Sequence, residues 1–224
     1  MIADNLHEIE QAIQDSCALV HRNPNEVTLI AVTKYVDSET TRKVIATGIK
    51  NIAENRAEKL IEKKHQLVDI PDIKWHLIGN LQRRKVKSII NEIDYFHALD
   101  SLRLAEEIEK RAEKTISCFV EVNVSGEESK QGIPPSEVHT FIESLAVYPK
   151  IKVVGLMTMA PFDATTEELH EVFHNLSMLR DTVRESKYAH APCEELSMGM
   201  SQDFSVAIEE GATFIRVGRA LLRD

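Results

Sequence analysis

The fold is decided by one short apolar stretch, Val27-Thr28-Leu29-Ile30-Ala31-Val32, which runs directly into Thr33-Lys34-Tyr35. A short apolar and β-branched run without regular polar alternation is typical of a strand covered on both faces, as in a parallel sheet. Before it, apolar residues at helical spacing predict a helix over 6–20. After it, capping residues predict a helix over 37–48.

The same alternation of strand and helix continues along the chain. Further strands are predicted at residues 49–53, 75–79, 94–99, 116–124, 153–159, 195–198 and 213–217. Eight such units favour a (β/α)8 barrel over an open doubly wound sheet, and no G-x-G-x-x-G follows the first strand. We therefore predict one α/β domain, a single (β/α)8 TIM barrel over residues 1–224.

The composition excludes several classes of protein. The chain has 27 basic and 36 acidic residues, a formal net charge of −9, which disfavours nucleic-acid binding. The 3 cysteines form no C-x-x-C or Cys/His cluster, so we expect neither a disulfide framework nor a metal site. The N-terminus lacks a signal peptide pattern, and no apolar run is long enough to span a bilayer. We expect a cytoplasmic protein with no membrane partner.

Chemistry in a barrel lies at the carboxyl ends of the strands. That rule selects Lys34, whose amine suits a nucleophile toward a carbonyl. The alternative is an ordinary lysine at a strand end that extends its amine to solvent. Asn55 follows the second strand, where it suits either a ligand contact or a helix cap.

Two loops near the end of the chain suit a phosphate. Ser197-Met198-Gly199-Met200-Ser201 joins the seventh strand to a helix predicted to start near Ser201, although capping by Ser201 would explain the same residues. Arg216-Val217-Gly218-Arg219 follows the eighth strand, and barrels often bind a phosphate between these two loops. An amine beside a phosphate site fits pyridoxal 5′-phosphate (PLP). A phosphosugar bound as a Schiff base, as in some aldolases, fits nearly as well.

At these residues the sequence resembles the pyridoxal phosphate homeostasis protein family, also called the YggS or proline-synthetase co-transcribed family. The matching segments, in the family's order, are residues 29–34, 53–56, 75–82, 122–132, 155–157, 196–203 and 215–219. The run Leu196-Ser197-Met198-Gly199-Met200-Ser201 is the most specific of them. The chain departs from the family at Ala53, where glycine is usual, at Arg84, where asparagine is usual, and after Gly218.

The resemblance implies a barrel like the N-terminal domain of alanine racemase, with PLP held as an internal aldimine on Lys34. It implies Ser197 and Gly218 at the phosphate and Asn55 beside the ring. Arg216 is implied near the pyridine nitrogen, which would leave that nitrogen unprotonated and the ring a weak electron sink. The predicted cofactor-binding residues are Lys34, Asn55, Ser197, Met198, Gly199, Arg216, Gly218 and Arg219.

The resemblance also implies a function in intracellular PLP (vitamin B6) and amino-acid homeostasis, without catalytic residues. We expect a monomer whose partners are PLP and PLP-dependent apoenzymes. Racemases of this fold carry a second, β-rich domain, and only 6 residues follow Gly218, so we expect that domain to be absent. The alternatives are a PLP-dependent amino-acid racemase and a Schiff-base aldolase without a cofactor.

Overall fold

A closed barrel of eight parallel strands forms the centre of the molecule, as a computed structural model that describes residues 1–224 shows. Each strand pairs with the next along the chain, and the eighth pairs with the first through Ile30 and Arg216. The strands are β1 Thr28–Val32, β2 Asn51–Glu54, β3 Lys74–Leu77, β4 Tyr95–Leu99, β5 Ile116–Glu121, β6 Ile151–Met157, β7 Glu195–Ser197 and β8 Phe214–Val217. The predicted (β/α)8 barrel is confirmed.

Helices surround the barrel. They are α1 Ile2–Leu19, α2 Ser38–Ala46, α3 Ala57–Gln66, α4 Arg83–Ile89, α5 Leu102–Arg111, α6 Val138–Ser144, α7 Thr166–Glu185, α8 Phe204–Glu209 and α9 Arg219–Leu222. Asp37, Ser101 and Thr165 cap three of them, since each side chain accepts the N–H of the residue three positions later. No helix is both long enough and apolar enough to cross a membrane.

The helix after β7 begins later than the sequence indicates. The sequence predicts its start near Ser201, and the structure has it at Phe204. The intervening residues form a turn, because the Met200 N–H donates to Asp203 Oδ1 at 2.7 Å and the Asp203 N–H donates to Met200 O at 3.1 Å. Ser201 therefore does not cap this helix. Its hydroxyl accepts the N–H of Ala220 at 3.0 Å instead, which links the loop after β7 to the first turn of α9.

Aromatic and imidazole rings fill the barrel below its mouth. His97 on β4 stacks on Phe119 of β5 with ring centroids 4.4 Å apart, and it also contacts Phe214 of β8. His76 on β3 stacks on Tyr95 at 4.6 Å. Contacts between β4 and β8, which are not neighbours in the sheet, place these rings inside the barrel. The interior is therefore packed, and a ligand can enter only at the mouth.

Candidate functional site

A cavity of about 600 Å3 opens at the carboxyl ends of the strands. Its charged lining residues are Lys34, Arg216, Arg219 and Arg223. No aspartate, glutamate, histidine or cysteine lines it. A cavity with only positive charges, in a chain with a net charge of −9, suits an anionic ligand. Its volume lies within the usual range for small-molecule sites.

Lys34 lies at a tight turn directly after β1. The Val36 N–H donates to Thr33 O at 3.2 Å, so residues 33–36 form a β-turn with Lys34 at its first central position. The Lys34 amine lies 5.0 Å from the ring centroid of Tyr35, and its side chain lines the cavity. The turn thus presents an amine to the ligand space, as the strand-end rule predicts.

The loops after β7 and β8 lie beside this turn and offer hydrogen-bond donors. The backbone N–H groups of Ser201, Gln202 and Gly218 have no partner within the chain. The loop after β7 is tied to β8, because the Arg216 N–H donates to Gly199 O at 2.9 Å. Gly218 approaches β1 closely: a Cβ atom there would lie 3.1 Å from Val32 O. Three free N–H groups in a narrow space suit the oxygen atoms of a phosphate.

Ser197 occupies a different place from the one predicted. It is fully buried, and its hydroxyl contacts Arg216 and His97 below the cavity floor. Asn51 Oδ1 accepts from His76 Nε2 at 2.9 Å, so the other nitrogen of a neutral His76 accepts from His97 Nε2 at 2.8 Å. His97 Nδ1 is then an acceptor, and the Ser197 hydroxyl donates a hydrogen bond to it, with Oγ and Nδ1 2.8 Å apart.

This chain of hydrogen bonds leaves Ser197 without a proton for a phosphate, since Arg216 can only donate. Burial lowers the pKa of His76 to about 3 and that of His97 well below its usual value, so both rings are neutral. The assignment of Ser197 to the phosphate therefore does not fit the geometry. Ser201, four residues later, lines the cavity in its place.

Met198 and Gly199 also lie away from the cavity. Met198 is fully buried in the core. Gly199 has a φ of +106°, and a Cβ atom there would meet the Cβ of Ala207 at 2.9 Å, so glycine is needed to pack the loop against α8. Neither residue is among those that line the cavity. The structure does bring the other predicted residues to the cavity: Lys34, Asn55, Arg216, Gly218 and Arg219.

Arg216 forms the floor of the cavity and is held in place by fixed acceptors. Its guanidinium donates to Ser197 Oγ and to Thr158 O, the latter at 3.1 Å. Burial lowers its pKa to about 10, against the opposing effect of Asp203 and Glu121, so it stays charged at neutral pH. The Arg216 guanidinium thus faces the cavity from below as a fixed, charged group that can donate hydrogen bonds but cannot accept them.

Two residues near the site lie outside the predicted cofactor-binding set. Glu54 and Lys63 form a buried ion pair of 3.1 Å behind the Lys34 turn. A signal was available for Lys63, because it continues the spacing of Ala57 and Leu60, which form the buried face of α3. A lysine on the apolar face of a helix calls for a buried partner.

One apparent motif has no matching site. Residues 170–174 read His-Glu-Val-Phe-His, the spacing of a zinc-protease helix. His170 and His174 each contact Glu210 at 3.1 Å on the outer surface of α7. No group of three histidine, cysteine, aspartate or glutamate side chains is arranged to hold a metal. The spacing therefore reflects an ordinary surface contact between α7 and the end of α8.

Comparison with known proteins defines the family. Residues 3–224 match the family model described as alanine racemase, N-terminal domain. The pyridoxal phosphate homeostasis protein of Aquifex aeolicus is 38% identical over 224 residues, covering 99% of this chain and 97% of that protein. PipY of Synechococcus elongatus, solved with PLP bound, is 30% identical with a TM-score of 0.85 over 99% of both chains.

Alanine racemase of Clostridium difficile 630 shares the fold alone, with 16% identity and a TM-score of 0.76. The likeness covers 97% of this chain and 56% of the racemase. The homeostasis protein of Aquifex and PipY are more similar to this chain in sequence than the racemase is. These matches agree with the family resemblance of the residues at the strand ends. The chain therefore belongs to the pyridoxal phosphate homeostasis protein family, on the fold of the alanine racemase N-terminal domain.

Proposed function

We propose that this chain binds PLP at the mouth of the barrel, attached to Lys34, and keeps it available for other proteins without using it as a catalyst. The observation that carries the proposal is an amine beside unpaired N–H groups in a cavity whose charged lining is entirely basic. PLP carries the two groups that such a site accommodates, an aldehyde and a phosphate. The name of the Aquifex relative and the PLP bound to PipY support this choice.

The donor set fits the phosphate group. The N–H groups of Ser201, Gln202 and Gly218 can each donate to a phosphate oxygen. Ser201 Oγ accepts from Ala220, which leaves its own hydroxyl proton free to donate. Arg219 lines the same part of the cavity and supplies positive charge. We therefore assign the phosphate to Ser201, Gly218 and their neighbours, with Ser201 replacing Ser197.

Attachment uses the amine of Lys34. Lys34 would hold PLP through its amine, and PLP would supply the electrophilic carbonyl for that amine, with one water released. Asn55 lines the cavity near the turn and can orient the ring. Arg216, with donors only, suits contact with an unprotonated ring nitrogen and cannot take a proton from it. An unprotonated nitrogen makes the ring a weak electron sink, which disfavours chemistry at a bound amino acid.

The lining of the cavity favours storage over turnover. Racemisation needs groups that exchange protons on both faces of the ring. The lining contains no carboxylate, imidazole or thiol beside Lys34, and the Tyr35 phenol is 79% exposed. We propose that the protein acts as a cytoplasmic monomer and passes PLP to PLP-dependent apoenzymes.

Exchange of the α-proton of amino acids tests this proposal. The PLP-loaded protein is incubated in deuterated water with a panel of L- and D-amino acids, beside a Lys34→Ala variant and free PLP. We expect exchange no faster than with free PLP, and transfer of PLP to an apoenzyme in a parallel assay. Exchange that depends on Lys34 at roughly one per second or faster would establish an enzyme instead.

A further inference from the structure

We infer that Lys63 is a positioning residue for Lys34: its buried ammonium group holds both ends of the turn that carries Lys34. The inference rests on the proposed function, because it concerns the attachment of PLP to the Lys34 amine. It adds to that function a residue that touches neither PLP nor the cavity.

The contacts of Lys63 account for all its donors. Its side chain is 7% exposed, and Nζ donates to Thr33 O at 2.8 Å, to Val36 O at 2.9 Å and to Glu54 Oε2 at 3.1 Å. An ammonium group has three protons, which these three acceptors can take up, and Nζ also lies 3.3 Å from Thr33 Oγ1. Two of the acceptors are the backbone carbonyls at the first and last positions of the turn around Lys34.

The turn has little else to hold it. Its own hydrogen bond, from Val36 N to Thr33 O, is 3.2 Å long. Thr33 is anchored to β2, since its N–H donates to Ala53 O at 3.0 Å and its hydroxyl donates to Glu54 Oε2 at 2.5 Å. At the other end, the turn leads into α2, which Asp37 caps, and the one side chain that hydrogen-bonds Val36 itself is Lys63. The ammonium group therefore fixes the side of the turn that β2 does not reach.

Stability alone does not explain a charge pair in this place. Glu54 and Lys63 are both buried, and removing two such charges from water costs as much as their attraction returns. An apolar residue would continue the buried face that Ala57 and Leu60 form on α3. The pair supplies what an apolar residue cannot, which is donors aimed at Thr33 O and Val36 O.

A loosened turn should affect the two parts of ligand binding unequally. Attachment needs the Lys34 nitrogen within bonding reach of the aldehyde, so it depends on the position of the turn. Phosphate binding uses the loops after β7 and β8, which Lys63 does not contact. Loss of Lys63 should therefore weaken binding of PLP while sparing a ligand that has the phosphate and lacks the aldehyde.

The test compares PLP with pyridoxine 5′-phosphate, which has an alcohol in place of the aldehyde. Lys63→Met alone leaves the Glu54 carboxylate buried without a partner, so the main variant is the double substitution Lys63→Met with Glu54→Gln, which removes both charges. Lys64→Met is the matched control, because Lys64 is the next residue of α3 and pairs at the surface with Glu92. Circular dichroism first establishes that each variant is folded at the temperature of the binding assay.

We expect the double variant to bind PLP at least tenfold more weakly, equivalent to about 1.4 kcal/mol. Its affinity for pyridoxine 5′-phosphate should stay near that of the wild type, and Lys64→Met should change neither. Equal loss for both ligands would show a merely structural role, and no loss for PLP would show that the turn needs no such support; either result overturns the inference. If the wild type itself forms no borohydride-stable adduct at Lys34, the proposed function fails as well, whereas a negative result confined to the variants leaves that function standing.

Discussion

The two sides of the barrel mouth are held by different chemistry. On the β1–β2 side, a buried charge pair of Lys63 and Glu54 fixes the turn around Lys34. On the β7–β8 side, the loop after β7 is joined to β8 and α9 by neutral contacts, such as Ala220 N to Ser201 Oγ, and several N–H groups stay free. One side presents a fixed amine to an electrophile, and the other presents open donors to an anion.

Under the proposed function, this difference separates the covalent from the non-covalent part of PLP binding. A covalent bond forms only when the lysine nitrogen lies at bonding distance, so the β1–β2 side needs a rigid support. A phosphate accepts hydrogen bonds from several directions, so the β7–β8 side needs donors more than an exact distance. Substitutions on the two sides should therefore have separable effects.

The largest effect is expected from Lys34→Ala. It removes the amine, so the PLP absorbance band of the attached form should be lost and the affinity for PLP should fall by roughly a hundredfold or more. Lys43→Ala on α2, an exposed lysine, is the control and should behave like the wild type. A visible titration with PLP measures both. An unchanged spectrum in Lys34→Ala would place the attachment elsewhere.

The next effect concerns the β7–β8 side and the phosphate. Pyridoxal, which lacks the phosphate, should bind roughly ten- to a hundredfold more weakly than PLP, because loss of a charged hydrogen bond costs about 1.5–3 kcal/mol. Competition between the two ligands for the wild-type protein gives the ratio directly. Similar affinities would mean that the free N–H groups do not hold a phosphate.

Acid should destabilise the folded protein through the hydrogen bonds that join His76, His97 and Ser197. Burial lowers the pKa of His76 from 6.5 to about 3, so the folded state keeps a neutral ring where the unfolded chain takes up a proton. Stability therefore falls as the pH drops below 6.5, by about 2 kcal/mol for this residue at pH 5, and the loss continues down to about pH 3. Urea unfolding at pH 5, 6 and 7 measures it, with His76→Gln expected to show a shallower dependence.

The smallest effect distinguishes the two serines. Ser201→Ala should lower the ratio of PLP to pyridoxal affinity by about fivefold, equivalent to one ordinary hydrogen bond of about 1 kcal/mol. Ser197→Ala should leave that ratio unchanged, because its hydroxyl is used by His97 and Arg216. If Ser197→Ala lowered the ratio and Ser201→Ala left it unchanged, Ser197 would be the serine that binds the phosphate.

The sequence predicts the barrel and the position of Lys34 at its mouth, because both depend on the order of strands and helices along the chain. Lys34 directly follows a strand, and the strand end faces the mouth whatever the surrounding packing. The choice between Ser197 and Ser201 depends on a turn that Asp203 closes with Met200. That contact is made inside a loop after a strand of only 3 residues, so spacing alone does not tell which serine faces the ligand.

Lys63 shows a second limit of sequence reasoning. Its position on the buried face of α3 is visible in the spacing, but its partners lie on β2 and in the turn after β1. Those contacts are brought together only when the barrel closes. The charge pair is therefore a property of the tertiary structure, whereas Lys34 is already marked by its place after β1.

The most direct measurement is borohydride reduction of the PLP-loaded wild-type protein, followed by peptide mass mapping. Reduction makes the bond between the lysine nitrogen and the ligand carbon permanent, so the modified lysine can be identified. We predict that the pyridoxyl phosphate group is recovered on the peptide containing Lys34 and on no other in comparable yield. Recovery mainly on another lysine, or on none, would contradict the account.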